Sequence, residues 1–257
     1  MRKEFGTYEW ADSTLNIING CSHNCKYCFS REMASRFKRK DSSLWNNEEL
    51  NPRQFNQKIP HKAGTIMFPS THDITPDNIQ YTLPFLVRIL ERDNRVLLVT
   101  KPHIECISSI CNACVDYRDR ILFRFTIGSM DDTILSFWEP NAPGYEERKE
   151  SLIHAFQNGF RTSISCEPML DKNVEALVDD LQDYVTDTIW VGKMNFVLRR
   201  LRANGCDDLE TITAAKQLME NQVDDKILSL VARLKTNPKI RWKDSIRAVM
   251  EAYGDGC

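Results

Sequence analysis

Along this chain, short apolar runs alternate with stretches of helical periodicity. Runs rich in β-branched and aromatic residues fall at 14–19, 65–69, 95–100, 121–127, 162–166 and 188–191, each of strand length. Between them, 77–91 places Ile79, Leu83, Leu86 and Leu90 on one helical face. Residues 146–157 group Leu152, Ile153 and Phe156, and 173–184 group Val174, Leu177, Val178 and Leu181. Residues 104–115 also read as a helix. Several strands are near-continuous apolar runs, as expected of parallel strands covered on both faces. Alternating strands and helices predict an α/β chain with a parallel sheet and helices outside. Six units are too few for an eight-stranded barrel, so a partial, open (βα)6 TIM-like barrel is expected. After Gly205 no strand is expected. Residues 208–220, 223–235 and 241–253 predict three amphipathic helices, with Val223, Ile227, Leu230, Val231 and Leu234 on one stripe and Trp242, Ile246, Val249 and Met250 on another. The expected organisation is a barrel of residues 1–204 with a helical C-terminal extension, 205–257, capping it.

Composition narrows the class. A chain of 257 residues that is 42% hydrophobic can bury one sizeable core. A net charge of −2 gives no dominating polyanion-binding surface. The start, Met1-Arg2-Lys3-Glu4-Phe5, turns polar at once, and no apolar run reaches membrane-spanning length. Neither a secretory signal nor a membrane span is expected, and the expected location is cytoplasmic. Nine cysteines without a secretory signal point to metal or redox chemistry, not a disulfide framework.

Three of them, Cys21, Cys25 and Cys28, are spaced C-x3-C-x2-C on the first strand-to-helix loop, where barrel chemistry sits. Three thiolates this close hold three corners of a cubic iron–sulfur cluster and leave the fourth iron open. The competing reading is a zinc knuckle that borrows His23 or a distant cysteine. With Tyr27 just before the last cysteine, the run resembles the radical S-adenosylmethionine (SAM) enzymes. The resemblance implies a [4Fe–4S] cluster whose open iron chelates SAM, reductive cleavage to methionine and a 5′-deoxyadenosyl radical, and an external electron donor such as flavodoxin or ferredoxin. It also implies that Tyr27, and more weakly Phe29, wall the adenine of SAM; the plain alternative is a loop aromatic shielding the cluster.

Later strand ends supply the rest of the expected pocket. Ser70, Thr71 and Asp73 stand where the resembled family has a glycine-rich turn ending in an acid, which implies a contact to the ammonium of SAM. The Thr75-Pro76-Asp77 run is expected to cap the next helix, leaving Ser70 to Asp73 free. Lys101, at the end of an apolar strand, is unusual unless it meets an anion, and the SAM carboxylate is the candidate. Thr126 and Ser129 follow from the next strand, where alternation puts Phe123, Phe125 and Ile127 on one face and Arg124 and Thr126 on the other.

The loop Trp138-Glu139-Pro140-Asn141-Ala142-Pro143 and Arg148 narrow the resemblance to the spore photoproduct lyase-like branch, over about residues 14–195. Arg148 has no acidic partner three or four residues away, so a buried role is expected, and Arg148 is counted with the candidate cofactor-binding residues. Cys166 is the candidate hydrogen-atom donor to a substrate radical, against a small buried residue. Glu167 is a candidate for ribose hydroxyls, and Lys193 and Asn195 for the pocket floor. Cys106, Cys111 and Cys114 read as buried helical cysteines, with a second cluster as the alternative. Basic runs at 31–40 and 199–202 are candidates for phosphate contact, against a solvated face. Nucleic acid is the first expected substrate. Radical modification of a peptide or small molecule, and a non-catalytic metal-binding nucleic-acid module, are the alternatives.

Overall fold

The computed structural model describes residues 6–253; residues 1–5 and 254–257, Cys257 among them, lie outside them. In chain order the first elements are β1 (Ser13–Thr14), β2 (Ile18–Asn19), α1 (Phe29–Arg36), β3 (Glu49–Leu50), α2 (Pro52–Phe55), β4 (Thr65–Phe68), α3 (Ile79–Leu90), β5 (Arg95–Thr100) and α4 (Ile104–Ala113). They continue as β6 (Ile121–Thr126), α5 (Asp132–Trp138), α6 (Tyr145–Gln157), β7 (Arg161–Cys166), α7 (Val174–Leu181), β8 (Ile189–Val191) and α8 (Val197–Ala203). The last are α9 (Leu209–Glu220), α10 (Asp224–Leu234), β9 (Ile240–Trp242) and α11 (Asp244–Tyr253).

Seven strands form one sheet in the order β1-β4-β5-β6-β7-β8-β9, with every neighbouring pair parallel. The α/β class and the partial, open barrel are therefore as expected. Two details differ. The expected first strand at 14–19 splits: β1 enters the main sheet, while β2 turns off to pair antiparallel with β3. A seventh strand, β9, follows Gly205 and pairs with β8. Its three residues, Ile240-Arg241-Trp242, are too short to separate from the helical pattern that continues through Ile246 and Val249.

Strand alternation sorts the two faces. Phe123, Phe125, Ile164, Cys166, Ile189 and Val191 face outward into the main core between sheet and helices. Each large apolar side chain buried there contributes roughly 1.5–3 kcal/mol. α7 meets this core through its expected stripe, with Val174, Leu177, Val178 and Leu181 all buried. Other stripes are shifted: α3 buries Phe85, Leu86, Ile89 and Leu90 instead of Ile79 and Leu83, α6 buries Tyr145, Leu152 and Ala155, and Phe156 and Val223 are exposed. Inside the barrel, Ala11, Met67 and Leu97 make a smaller apolar layer. Above it lies Arg124, bonded to Ser163 Oγ at 3.0 Å and 4.8 Å from the Trp10 ring. Arg124 thus stays inside the barrel, with Asp187 at 4.0 Å as its anion, and it is absent from the cavity above.

Candidate cluster and cofactor site

The cysteine loop is held by residues distant in sequence. Gly20 enters it at φ +99°, where a side chain would collide with the backbone oxygen of Asn47. The Cys21 amide then bonds Trp45 O at 2.9 Å. Glu48 accepts from Ser22 N at 2.9 Å, Thr75 Oγ1 at 3.0 Å and Asn78 Nδ2 at 2.9 Å. Thr75 therefore braces this carboxylate instead of capping α3, whose N-cap is Asn78. Asn204 is buried and donates to Lys26 O at 2.9 Å and Cys28 O at 3.0 Å. Glu48, Asn78 and Asn204 carry no spacing signal that would have marked them in the sequence.

Cys21, Cys25 and Cys28 all line one cavity of about 590 Å3 at the C-terminal ends of the strands. Its size is ordinary for a small-molecule site. Burial pushes all three thiols above the usual range. Coordination to a metal reverses that preference by deprotonating the sulfur. Arg31 N donates to Cys28 Sγ at 3.4 Å, an interaction that favours thiolate. A soft, three-sulfur donor set on one loop fits a [4Fe–4S] cluster with one open iron.

Asp73 is the hub beside this set. It accepts from Cys21 Sγ at 3.7 Å and from Lys101 N at 2.6 Å, and it pairs with Lys101 Nζ at 3.3 Å and His23 Nδ1 at 3.1 Å. Burial opposes its charge, but Lys101 and His23 outweigh burial and hold Asp73 well below the usual carboxylate range. His23 is 1% exposed, and its Nε2 meets His103 Nε2 at 2.9 Å. Ser70 and Thr71 also line the cavity, and their amides donate to Asn16 Oδ1 at 2.7 and 2.9 Å. Asn16 therefore shapes this turn where glycines are absent.

Tyr27 and Phe29 line the cavity as well. The Tyr27 hydroxyl donates to Glu139, which is buried and pairs with Arg148 at 2.6 Å. Arg148 also donates to Pro143 O at 2.7 Å and Thr126 O at 3.1 Å, and it is completely buried. The buried role expected for Arg148 holds, but it does not line the cavity, so it is no cofactor contact; it supports Tyr27 through Glu139. Burial acts against the Glu139 charge, yet Arg148, Lys101 and the Tyr27 bond keep its carboxyl below the usual range.

On the far wall stand Thr126, Ser165 and Glu167. Ser165 was not singled out from sequence. Cys166, between the last two, points the other way into the outer core and does not line the cavity. Strand alternation forces this, and it turns the Cys166 thiol away from any substrate radical in the cavity, against the expected hydrogen-donor role. Ser129 is likewise outside the cavity: it bonds Asp171 and the Asp131 amide ahead of α5. Lys243, one residue past β9, reaches Glu167 at 3.4 Å and also lines the cavity, as do Lys193 and Asn195.

Cys106 and Cys111 lie buried in α4, with Cys114 at its end. Burial pushes all three of these thiols up, Cys106 and Cys111 to about 12 and Cys114 to about 11. Of the basic runs, Arg31 turns inward to Ser42 and Asn24, and Arg199 and Arg200 pair with the buried Glu32 at 3.0 and 3.8 Å. Arg36, Lys38 and Arg39 stay exposed. No helix among the described residues is long and apolar enough to cross a membrane.

No family model matches the chain. It is 24% identical to the uncharacterized protein ORF301 of Acidianus two-tailed virus, over 91% of this chain and 81% of that one. The structure of spore photoproduct lyase complexed with dinucleoside spore photoproduct superposes with a TM-score of 0.59 at 15% identity, over 89% of this chain and 75% of that chain. Streptococcus suis SuiB bound to S-adenosylmethionine superposes with a TM-score of 0.55 at 12% identity, over 95% of this chain and 52% of SuiB. At these identities the likeness is one of fold.

Proposed function

We propose that this protein is a radical SAM enzyme. Cys21, Cys25 and Cys28 would hold a [4Fe–4S] cluster, with SAM bound beside it. The carrying observation is that the three cysteines, the Ser70–Asp73 turn and Lys101 line one cavity at the active end of a parallel barrel. When bound, the cluster supplies one electron that splits SAM into methionine and a 5′-deoxyadenosyl radical. The chain's own contribution is a dry, oriented chamber for that radical. Tyr27 walls the chamber next to the cysteines, and Lys101 offers a cation to the SAM carboxylate. The Asp73 carboxylate and the Ser70–Thr71 turn offer acceptors to its ammonium, and Thr126 and Glu167 bound the opposite side. The electron comes from an external donor such as flavodoxin or ferredoxin, and the reaction is set in the cytoplasm.

Nucleic acid is the proposed substrate class, and the cavity mouth supports it. Phe29 and Phe196 are 51% and 66% exposed, with Arg200 5.3 Å and Arg199 4.6 Å from their ring centres. Lys193 and Asn195 line the same edge. Exposed rings beside cations suit stacked bases and their phosphates. Spore photoproduct lyase, in complex with a dinucleoside spore photoproduct, shares the fold. A peptide substrate is the alternative, since SuiB bound to its precursor peptide SuiA also shares the fold. The Cys21–His23–Asp73 grouping, with ligand atoms within 4.8 Å of one another, favours the remaining alternative of a non-catalytic zinc module.

Anaerobic reconstitution separates these readings. The proposal predicts about four iron and four sulfide per chain, lost in Cys25→Ser; zinc alone sinks it. For the substrate, Phe196→Ala and Arg200→Ala should each weaken single-stranded oligonucleotide binding about tenfold. Unchanged binding would redirect the substrate to a peptide.

A further inference from the structure

We infer that the exposed face at the C-terminal end of α1, made by Arg36, Phe37, Lys38 and Arg39, docks an acidic protein that delivers single electrons to the cysteine site. The inference rests on the reading that Cys21, Cys25 and Cys28 hold a reducible cluster. Position and charge carry it.

Cys28 is the N-cap of α1 and Phe37 its C-cap, so about 13 Å of helical rise separates the last cysteine from the patch. The layer between patch and cysteines is thin. Ala34 packs with Cys21 and Trp45, and Cys28 lies against them. The Arg39 amide bonds Ala34 O at 2.8 Å, and the Lys38 amide bonds Ser35 O at 3.0 Å. The patch is thus fastened to the helix turn that packs on the cysteines. None of its four residues lines the cavity, whereas Phe29 and Arg200 do. A donor seated at the cavity mouth would exclude substrate and admit water. A donor docked on the patch leaves the mouth to substrate.

Arg36, Lys38 and Arg39 are exposed, and none of them pairs with an acid among the described residues. The acids nearby in sequence are already engaged. Glu49 pairs with Lys40 at 3.0 Å, Asp41 accepts from Ser43 N and Oγ at 2.8 and 2.7 Å, and the buried Glu32 faces Arg199 and Arg200. The whole chain carries a net charge of −2, so three uncompensated cations stand out on it. An acidic partner is steered to such a face and held off elsewhere. Phe37 is 59% exposed, with the Arg36 and Arg39 guanidinium groups each 5.8 Å from its ring centre. Leu44, 51% exposed, belongs to the turn that Arg31 ties to α1 through Ser42 O at 3.0 Å and Ser42 Oγ at 2.9 Å. Exposed apolar groups ringed by cations have the make-up of a protein interface. One electron leaves the partner's reduced flavin or iron–sulfur group and enters the cluster; the partner is oxidised by one electron, the cluster is reduced by one, and no group is transferred.

The test uses cluster-reconstituted protein with reduced flavodoxin as the probe, and stopped-flow absorbance to follow cluster reduction. The triple variant Arg36→Glu, Lys38→Glu, Arg39→Glu should cut the second-order rate about tenfold or more and flatten its dependence on salt. Phe37→Ala should cut it about threefold. Arg36→Lys with Arg39→Lys keeps the charge and should stay within about twofold. All should keep the melting temperature, the oligonucleotide affinity and the dithionite-driven release of 5′-deoxyadenosine at wild-type values. A triple variant that flavodoxin reduces as fast as wild type overturns the inference. If oligonucleotide affinity falls in its place, the patch belongs to nucleic acid and the inference is overturned. An equal loss with dithionite also overturns it. A wild type that releases no 5′-deoxyadenosine even with dithionite overturns the reading of the cavity, and this inference with it.

Discussion

Replacing Arg148 by Met should cost about 3–5 kcal/mol of stability, the usual penalty for stripping the partner from a fully buried charge. The structure gives the ledger for this site. Glu139 and Arg148 are both completely buried and 2.6 Å apart. The substitution leaves the Glu139 carboxylate with the Tyr27 bond and the more distant Lys101 charge, and it also removes the donors from Pro143 O and Thr126 O. For a chain of this length the loss corresponds to a melting point lower by about 10 °C. The assay is thermal and urea denaturation of the metal-free protein, followed by circular dichroism. The double variant Glu139→Leu with Arg148→Met should recover most of the loss, because it buries apolar groups where it removed both charges. An Arg148→Met protein within about 1 kcal/mol of wild type would refute the reasoning. So would a double variant as unstable as the sum of its parts.

Other sites give independent tests. Asn204→Leu removes two bonds to the cysteine loop; it should cost about 2 kcal/mol and lower the iron retained after reconstitution, measured by metal analysis. Cys166→Ala should leave SAM cleavage and product formation at wild-type levels, assayed by chromatography, because its thiol faces the outer core. Asp180 is held below its usual range first by Lys149 and then by Tyr145. A lowered folded value means its stabilisation is present above its unfolded pKa of about 3.9 and lost as pH falls through the folded one. Asp180→Asn should therefore show a shallower acid-unfolding curve and, because the group is partly exposed, lose under about 1 kcal/mol at pH 7.

Much of the architecture was legible because its signals are periodic and local. The strands at 95–100, 121–127 and 162–166 and the α7 stripe come directly from hydrophobic spacing. The cysteine triplet, the Ser70–Asp73 turn and Lys101 were legible because chemistry at strand ends leaves polar residues where apolar runs stop. Strand β9 was missed because three alternating residues vanish inside a helical pattern. Cys166 draws the eye as a thiol at a strand end, but strand parity puts Ser165 and Glu167 on the cavity side and Cys166 on the other. The partners of Arg148 and His23 were illegible because Glu139 and His103 meet them only through tertiary contact. Glu48, Asn204 and Lys243 act across long stretches of chain, and no local pattern records such distances.

The central claim is that the cavity beside Cys21, Cys25 and Cys28 cleaves SAM. Its most direct test is release of 5′-deoxyadenosine from SAM by the anaerobically reconstituted, dithionite-reduced protein. The account predicts release by wild type and none by Cys25→Ser. A protein that carries its full iron and sulfide yet releases no 5′-deoxyadenosine, or that releases it equally after Cys25→Ser, would contradict it.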